Sequence, residues 1–427
     1  WRAKTGKERA AIMRRWFDLI NRDADRLAKL MTEEQGKALL EAKGEVIYAA
    51  SFIEWFAEEA KRVMGAVPAS PWSDKRLMVL KQPIGVCVSI TPWNFPLAMI
   101  TRKVAPAIAA GCTIVIKPAE QTPLSALALG ELAKEAGIPD GVINIVTADA
   151  ANSVAIGQAL CAAPAVRHLS FTGSTPVGRI LMEQCAPTIK KVALELGGHA
   201  PFIVFEDADL DLAAEIAVEQ YDNAGQVCLS GTRIFVHENV ADEFAKKFGE
   251  KAAAIKQGDP RDESTDIGPQ IHQVHFDRVK GFVDRAKAEG QEIVWGGEPN
   301  DELGGLFFKP TLVKNPTEGS EIVTSEIFGP VLCMMTFKTD EEVIERANGT
   351  EFGLAAVVVS GNQEHAKKIT DVLVAGTIWV NCFFVRDLRA PFGGSKKSGI
   401  GRDGGTWSFD FYADVKNTVV SPNGWKE

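Results

Sequence analysis

Cys228 is the residue whose surroundings most favour covalent chemistry. It lies in NAGQVCLSGTR, among Asn, Gly and Gln residues in a loop that precedes a predicted strand. A loop thiol is accessible, and hydrogen-bond donors or a helix N-terminus beside it would stabilise the thiolate that attacks a carbonyl carbon. A buried structural cysteine is the alternative, since six other cysteines are scattered along the chain: Cys87, Cys112, Cys161, Cys185, Cys333 and Cys382.

Glu195 is a candidate general base. It ends the apolar segment KVALE, in which an unpaired carboxylate is costly to bury, so its pKa should be raised. A carboxyl group whose pKa lies near neutrality is an effective base. The alternative is a structural carboxylate that accepts hydrogen bonds from backbone amides.

The segment RHLSFTGSTPVGRIL has the features of an anion-binding turn. A strand should end at Thr172, and Gly173 frees the turn into a helix that begins near Pro176. The free N–H groups at such a helix start, together with the Ser174 hydroxyl, suit a pyrophosphate. The spacing differs from GxGxxG, so a capped helix without a ligand is the alternative.

Lys117 and Glu120 follow the carboxyl end of a predicted strand in TIVIKPAEQTP. Open α/β sheets bind ligands at this edge. Lys117 could hold a ribose hydroxyl, and Glu120 could accept a hydrogen bond from an adenosine 2′-hydroxyl and repel a 2′-phosphate. A surface ion pair between the two is the alternative.

The elements that must position these residues are short strands alternating with helices. Helical periodicity over residues 8–63 and a Pro-containing arm are followed, from Gly85, by apolar strands and Ala-rich helices. This alternation predicts an α/β fold with a mostly parallel sheet covered on both faces. A second α/β segment follows Leu196, so the Gly197–Gly198 pair is the predicted domain boundary.

Length and charge restrict the class of protein. The 427 residues suggest two or three domains, and the net charge of −9 argues against a nucleic-acid partner. No apolar run approaches the roughly 20 residues of a membrane span, and no signal peptide is evident, so we expect a cytoplasmic protein. The chain begins at Trp1 inside a helical pattern, which suggests that a natural N-terminal segment precedes it.

No metal site is expected. The seven cysteines contain no CxxC pair, and their odd number argues against a disulfide framework. The nearest histidine pair, His272 and His275, has no adjacent cysteine or third histidine.

Seven motifs resemble the aldehyde dehydrogenase family, in the family's order over essentially the whole chain. They are TPWNFP (91–96), KPAEQTP (117–123), FTGSTPVG (171–178), LELGG (194–198), GQVC (225–228), EIFGPV (326–331) and PFGGSKKSGIGR (391–402). The resemblance implies a Rossmann-like NAD-binding domain (1–65 and 84–196), an α/β catalytic domain (197–410) and a small β arm (66–83 and 411–427). Since the arm resembles the family's oligomerisation strands, a homodimer or homotetramer is expected.

The resemblance also implies roles for individual residues. Cys228 would be the nucleophile, Asn94 and the Cys228 backbone N–H would stabilise the oxyanion, and Glu195 would activate the water that hydrolyses a thioester. Glu195 favours a free-acid product, because the CoA-acylating branch typically lacks this glutamate. The implied cofactor contacts are Trp93, Lys117, Glu120, Gly173, Ser174, Leu196, Glu326 and Phe328.

The expected cofactor is NAD rather than NADP. NADP-preferring relatives often carry a small or hydroxyl residue in place of Glu120, which leaves room for a phosphate. One departure from the family lies in VTADAANS (146–153), where relatives usually place glycine near Ala148.

The expected substrate is an aldehyde that also carries a carboxylate. Arg102 follows Asn94 at the helical spacing i, i+8 and should share its face, and Arg386 matches a position that borders the substrate tunnel in the family. A guanidinium can hold a carboxylate bidentately. The alternative for either arginine is a structural pair, for example with Asp387.

Two substrate classes compete. The segments EAKGEVIYAASFIEWFAEEAKR and MITRKVAPAIAAGC resemble succinate-semialdehyde dehydrogenases, whereas VNCFFVRDLRAPFGG and GTWSFDFYADVKN resemble the hydroxymuconic and carboxymethyl-hydroxymuconic semialdehyde dehydrogenases of aromatic catabolism. Succinate-semialdehyde dehydrogenases place an arginine six residues before the nucleophile, where this chain has Asp222. We therefore expect a muconate-type semialdehyde, with succinate semialdehyde or a general aldehyde as alternatives and a non-catalytic role disfavoured.

Overall fold

A computed structural model of the protein describes residues 1–422, and it begins with three helices. They are α1 (Gly6–Arg22), α2 (Ala24–Gln35) and α3 (Leu39–Glu59), and an extended arm leads from them to β1 (Arg76–Pro83). The prediction of helices from residue 8 onward is therefore confirmed as far as Glu59, and residues 60–63 are not helical.

The first sheet is built from strands that alternate with helices. The elements are β2 (Val86–Ile90), α4 (Ala98–Ala110), β3 (Thr113–Lys117), α5 (Pro123–Glu135), β4 (Ile143–Ile145), α6 (Ala150–Ala162), β5 (Val166–Thr172), α7 (Thr175–Cys185) and β6 (Lys191–Glu195). These five strands are parallel in the order β6-β5-β2-β3-β4. Because Ile90 lies beside both Lys117 and Phe171, and Thr172 beside Glu195, the strands end along one edge. Ligands bind at this edge in open α/β sheets.

The second sheet follows the Gly197–Gly198 pair. Its elements are β7 (Pro201–Val204), α8 (Leu210–Val218), β8 (Arg233–His237), α9 (Ala241–Ala253), α10 (Gln273–Ala288), β9 (Glu292–Trp295), β10 (Thr311–Lys314), α11 (Glu321–Thr324), β11 (Val331–Phe337), α12 (Asp340–Asn348), β12 (Ala355–Val359), α13 (Gln363–Val372) and β13 (Thr377–Val380). Seven strands lie in the order β13-β12-β7-β8-β11-β10-β9, and β9 alone is antiparallel to its neighbour. Adjacent residues such as Phe202 and Ile203 enter separate apolar cores, because side chains alternate across a sheet.

The C-terminal segment returns to the first half of the chain through β14 (Gly399–Ile400), α14 (Phe409–Tyr412) and β15 (Ala413–Val420). Strand β14 pairs antiparallel with β6, so that Gly399 lies opposite Glu195. Strand β15 pairs with β1. Residues 399–400, assigned from the sequence to the catalytic domain, thus extend the first sheet.

The predicted domain division and the oligomerisation role of the arm remain predictions. Residues 423–427 of the predicted arm lie outside the described residues.

The N-terminal helices position the site because they pack on the first sheet through α4. Trp16, Phe52 and Phe56 are buried in one apolar core with α4 residues such as Ile100 and Val104. Burial of large aromatic side chains contributes strongly to stability. Among residues 1–422 no helix has the length and apolar character that a membrane crossing requires.

Candidate active site

Most of the sequence-predicted site residues meet in one cavity of about 590 Å³. Its wall contains Trp93, Asn94, Arg102, Gly173, Ser174, Leu196, Cys228, Glu326, Phe328 and Arg386. Lys117, Glu120 and Glu195 lie outside this wall, at the carboxyl ends of β3 and β6. The cavity therefore brings together the predicted nucleophile, the two arginines and most of the cofactor residues.

A strained turn precedes Cys228. Asn223, Ala224 and Gly225 adopt the left-handed conformation consecutively, with φ of 51°, 55° and 71°. Non-glycine residues hold this conformation only where their surroundings enforce it. The Asn223 backbone N–H donates to the Glu41 carboxylate (2.7 Å), and a Cβ at Gly225 would lie 2.1 Å from the Gly329 carbonyl oxygen. This close approach fixes the loop that carries the thiol.

The Cys228 thiol is half-buried and faces the cavity. Burial raises the pKa of the thiol to about 12, and the Glu326 and Glu195 carboxyls contribute to the increase, whereas Arg102 and Arg386 oppose it. Among residues 1–422 the thiol has no hydrogen-bond donor. Within the described residues no donor stabilises the thiolate, and desolvation favours the protonated thiol.

Asn94 lies between β2 and α4 and is held from both sides. Its side-chain Nδ2 donates to the Gln226 carbonyl oxygen (3.0 Å), and its own carbonyl oxygen accepts from Lys37 Nζ (2.8 Å) and Asn223 Nδ2 (3.1 Å). A carboxamide has two N–H donors, so one remains after the bond to Gln226. Asn94 lines the same cavity as Cys228.

Lys37 and Glu45 form a fully buried ion pair beneath Asn94. The Glu45 carboxylate also accepts from the backbone N–H groups of Leu97 (2.9 Å) and Ala98 (3.2 Å). A carboxylate at this position caps the positive end of α4. The pair could not be predicted from the sequence, because two charged residues eight positions apart resemble ordinary surface residues.

Glu195 ends β6 and is buried. Its Oε2 lies 4.0 Å from Arg102 Nη1, and among residues 1–422 its carboxyl accepts no hydrogen bond from a backbone amide. Burial raises the pKa of Glu195 to about 8, and Asp403 adds to the increase, whereas Arg102, Lys103 and Arg386 oppose it. The backbone-bonded alternative is not observed, and the carboxyl has the raised pKa expected at the end of an apolar strand.

The two glycines at 197–198 permit close approaches to catalytic segments. A Cβ at Gly197 would lie 2.4 Å from Glu326 Oε2, and a Cβ at Gly198 would lie 2.2 Å from the Cys228 carbonyl oxygen. The Gly198 N–H donates to Glu326 Oε1 (3.0 Å), and burial raises the pKa of Glu326 to about 7. The glycine pair therefore permits close packing against Glu326 and Cys228, in addition to the redirection of the chain expected from the sequence.

Phe328 also has a left-handed backbone, with φ of 62°. His275 Nε2 donates to the Phe328 carbonyl oxygen (2.7 Å), and Arg278 donates to the Glu326 carbonyl oxygen (2.6 Å). Burial lowers the pKa of His275 to about 4, so the imidazole is neutral at pH 7. His272 caps α10 by accepting from the His275 backbone N–H. This pair therefore supports the cofactor-side loop.

Ser174 and the Lys117–Glu120 pair are the remaining predicted cofactor contacts. Ser174 occupies the N-cap of α7, and its side chain forms no capping hydrogen bond, which leaves the helix start available to an anion. Lys117 Nζ donates to Glu120 Oε2 (3.2 Å). The ion pair considered as the alternative for these two residues is therefore present, and it lies at the ligand-binding edge.

The two arginines lie at the other end of the cavity. Arg102 is buried, donates to the Tyr48 hydroxyl (2.7 Å), and has no hydrogen-bond partner for its Nε among the described residues. The Arg386 guanidinium stacks 3.8 Å from the Phe392 ring centroid and has no ion-pair partner within residues 1–422. Asp387 pairs with Arg389 instead (2.6 Å), so the alternative in which Arg386 pairs with Asp387 is not observed.

Comparison with known proteins identifies the family. A model of the aldehyde dehydrogenase family matches residues 1–418. The succinate-semialdehyde dehydrogenase (NADP⁺) GabD of Escherichia coli is 50% identical over 421 residues, which cover 98% of this chain and 86% of that protein. The glutarate-semialdehyde dehydrogenase of Pseudomonas putida is 49% identical over 422 residues, which cover 99% of this chain and 87% of that protein.

A solved structure agrees. The crystal structure of an NAD-dependent aldehyde dehydrogenase from Sinorhizobium meliloti has a TM-score of 0.96 and 40% identity, and the match covers 100% of this chain and 84% of that chain. The chain therefore belongs to the aldehyde dehydrogenase family, and the predicted α/β fold is confirmed. It is an oxidoreductase that requires NAD or NADP. The named relatives support semialdehyde oxidation, and they favour the succinate alternative over the expected muconate-type substrate.

Glu45→Gln should lower the free energy of unfolding by about 3–5 kcal/mol, because it leaves the Lys37 charge buried without a partner. Urea denaturation followed by tryptophan fluorescence measures this change. Glu54→Gln is the matched control, since it removes the exposed carboxylate paired with Arg14 and should change stability far less. Equal losses of stability in the two variants would show that the buried Lys37–Glu45 pair contributes no more to stability than an exposed pair does.

Proposed function

We propose that the protein oxidises a short acid semialdehyde, of the succinate or glutarate type, to the free dicarboxylic acid. The observation that carries this proposal is the pair of guanidinium groups, Arg102 and Arg386, in the cavity that contains Cys228. The names of the relatives in Escherichia coli and Pseudomonas putida support the same substrate class. A substrate of this class bears one aldehyde for the thiol and one carboxylate for the arginines.

The charge balance of the substrate end supports the proposal. Burying a cation without a counter-ion is costly, and Arg102 lowers the pKa of Arg386 by repulsion in addition to the effect of burial. A substrate carboxylate would offset the desolvation of Arg386 and its repulsion by Arg102. It also has the planar geometry that a guanidinium binds with two hydrogen bonds. Tyr48, Phe384 and Phe392 line the same end and can pack on the aliphatic chain.

Cys228 is assigned to nucleophilic attack. The thiol first releases its proton to solvent. The resulting thiolate forms a C–S bond with the aldehyde carbon as the carbonyl π bond breaks, and the carbonyl oxygen becomes an oxyanion. The free N–H of Asn94 and the Cys228 backbone N–H stabilise that oxygen. A nicotinamide dinucleotide, when bound, supplies the hydride acceptor for oxidation of the adduct to a thioester.

Glu195 is assigned to hydrolysis of the thioester. It accepts a proton from water, the oxygen of this water attacks the thioester carbon, and the C–S bond breaks to release the acid and regenerate Cys228. In the structure its carboxyl lies near Arg102 rather than in the wall of the cavity. It also lies close enough to Cys228 to contribute to the raised pKa of the thiol.

The cofactor residues fit a dinucleotide on structural grounds. The start of α7 beside Gly173 and Ser174 offers free N–H donors, and Glu326 Oε2 remains free after Gly198 has bound the other oxygen. Trp93, Leu196 and Phe328 line the same part of the cavity. We assign the pyrophosphate to the α7 start and a ribose to Glu326.

NAD is the proposed cofactor, and NADP is the second candidate because the Escherichia coli relative is named for NADP⁺. The Glu120 carboxylate, held by Lys117, would accept a hydrogen bond from a 2′-hydroxyl and repel a 2′-phosphate. The Sinorhizobium meliloti structure, named as NAD-dependent, supports the same cofactor.

Arg386→Leu should lower kcat/KM for succinate semialdehyde about 100-fold, because it removes a charge-assisted hydrogen bond to the carboxylate. For butanal, which has the same length without the carboxylate, the change should stay within about threefold. Steady-state NADH formation measures both values. Arg389→Leu is the control, since it removes an exposed guanidinium from the same loop. If the wild-type enzyme oxidises butanal as efficiently as both acid semialdehydes, the proposed substrate class is wrong.

Glu195→Gln should retain a rapid burst of NADH formation and lower the steady-state turnover at least 100-fold, since a general base contributes about 10²–10⁴ to a rate. Below a pH of about 8 the Glu195 carboxyl is protonated and cannot accept a proton, so wild-type kcat should rise with pH through this value. Stopped-flow and steady-state measurements from pH 6 to 10 test both points. Persistence of the same pH rise in Glu195→Gln would remove the residue from hydrolysis.

Glu120→Thr should tighten NADPH binding relative to NADH by about tenfold, because it removes the charge that opposes a 2′-phosphate. Fluorescence titration gives the two dissociation constants without turnover, and kcat/KM for NAD and NADP provides a second measurement. Glu131→Thr, on the exposed side of α5, is the control. Wild-type enzyme that binds NADPH as tightly as NADH would contradict the assignment to NAD.

A further inference from the structure

A second cavity of about 410 Å³ adjoins the Cys228 cavity at its arginine end. Four residues border both cavities: Tyr48, Phe95, Phe384 and Arg386. Beyond them four carboxyl residues line the second cavity. One, Glu45, is paired with Lys37, and the other three, Glu41, Glu219 and Asp222, are what we call the acidic mouth. A chain that extends from Cys228 past Arg386 therefore enters a region of opposite charge.

The acidic mouth is not neutralised by neighbouring cations. Among the described residues none of its three carboxyls forms an ion pair, and Lys37, which also lines this cavity, is already paired with Glu45. Glu41 uses one oxygen to accept from Asn223, and its other oxygen has no partner. Glu219 and Asp222 are exposed.

Mutual repulsion within the acidic mouth is reflected in its titration. Desolvation of the carboxyl raises the pKa of Asp222 to about 8, and the carboxyls of Glu41, Glu219 and Asp266 add to the increase. Above this pH Asp222 is ionised, and a further carboxylate brought next to it would meet several negative charges.

We propose that the acidic mouth limits the chain length of the acid semialdehyde, with Asp222 as the specificity-determining residue. This inference rests on the proposed function, because it requires that the substrate carries a carboxylate. When the aldehyde carbon is at Cys228, a short chain leaves its carboxylate at Arg102 and Arg386. Each added methylene moves the carboxylate toward Asp222, where like charges repel. Neutral aldehydes of the same lengths experience no such penalty.

The test compares acid semialdehydes of four, five and six carbons, which are the succinate, glutarate and adipate semialdehydes, with butanal, pentanal and hexanal. Values of kcat/KM are measured for the wild type and for Asp222→Asn at about pH 9, above the raised pKa of Asp222, so that the carboxyl is ionised. The substitution should raise the ratio of the six-carbon to the four-carbon acid about tenfold, because it removes a repulsion of the size expected between nearby, partly screened charges. The ratio of hexanal to butanal should stay unchanged.

Two further variants test whether the change in ratio comes from the charge of the acidic mouth. Asp242→Asn, which removes a carboxylate on the exposed surface, is the matched control and should alter neither ratio. Asp222 adjoins the strained loop before Cys228, so its substitution can also act through that loop. Glu219→Gln removes a second charge of the acidic mouth without changing the loop, and it should shift the ratio of the six-carbon to the four-carbon acid in the same direction.

An unchanged acid ratio in both Asp222→Asn and Glu219→Gln would overturn the inference. A parallel rise in the neutral ratio would also overturn it, because it would indicate a steric effect. Either result can occur while the wild type still prefers succinate semialdehyde to butanal, so the length limit can fail without failure of the proposed function.

Discussion

The buried Lys37–Glu45 pair connects the parts of the active site. Glu45 caps the start of α4, and Lys37 donates to the Asn94 carbonyl oxygen. The same carbonyl oxygen accepts from Asn223, which begins the strained turn before Cys228. One ion pair therefore fixes the helix that presents Arg102, the amide assigned to the oxyanion and the loop of the nucleophile. A pair that is buried on this scale is costly to break, which suits a site that must hold its geometry.

Desolvation governs the chemistry of the site as strongly as geometry does. Burial raises the pKa of Cys228, Glu195 and Glu326 together, so the nucleophile and the base are both favoured in their neutral forms in the free chain. Arg102 and Arg386 oppose the pKa shifts of Cys228 and Glu195 without cancelling them, whereas the Gly198 N–H and Arg278 oppose that of Glu326. A substrate carboxylate that binds the arginines would neutralise part of that opposition, and substrate binding is therefore coupled to the protonation state of the catalytic residues.

Much of the fold could be predicted from the sequence, because strands buried on both faces of a parallel sheet appear as short apolar runs such as TIVIK and HLSFT. Local motifs also identified the residues that meet in the main cavity. Long-range pairings could not be predicted. Nothing near Arg386 in the sequence indicates that Asp387 turns to Arg389 instead, or that Lys37 and Glu45 become buried. Asp222 attracted attention as a missing arginine, but its grouping with Glu41 and Glu219 depends on the fold.

The pairing of β14 with β6 has a consequence for biosynthesis. Gly399 lies opposite Glu195, Gly393 packs against the Glu195 carboxyl, and Asp403 shifts its pKa. The base is therefore enclosed by residues that are synthesised about 200 positions after Glu195 itself. A nascent chain can assemble the parallel strands of the first sheet early, yet it cannot complete the hydrolytic half of its site until this later segment has been synthesised.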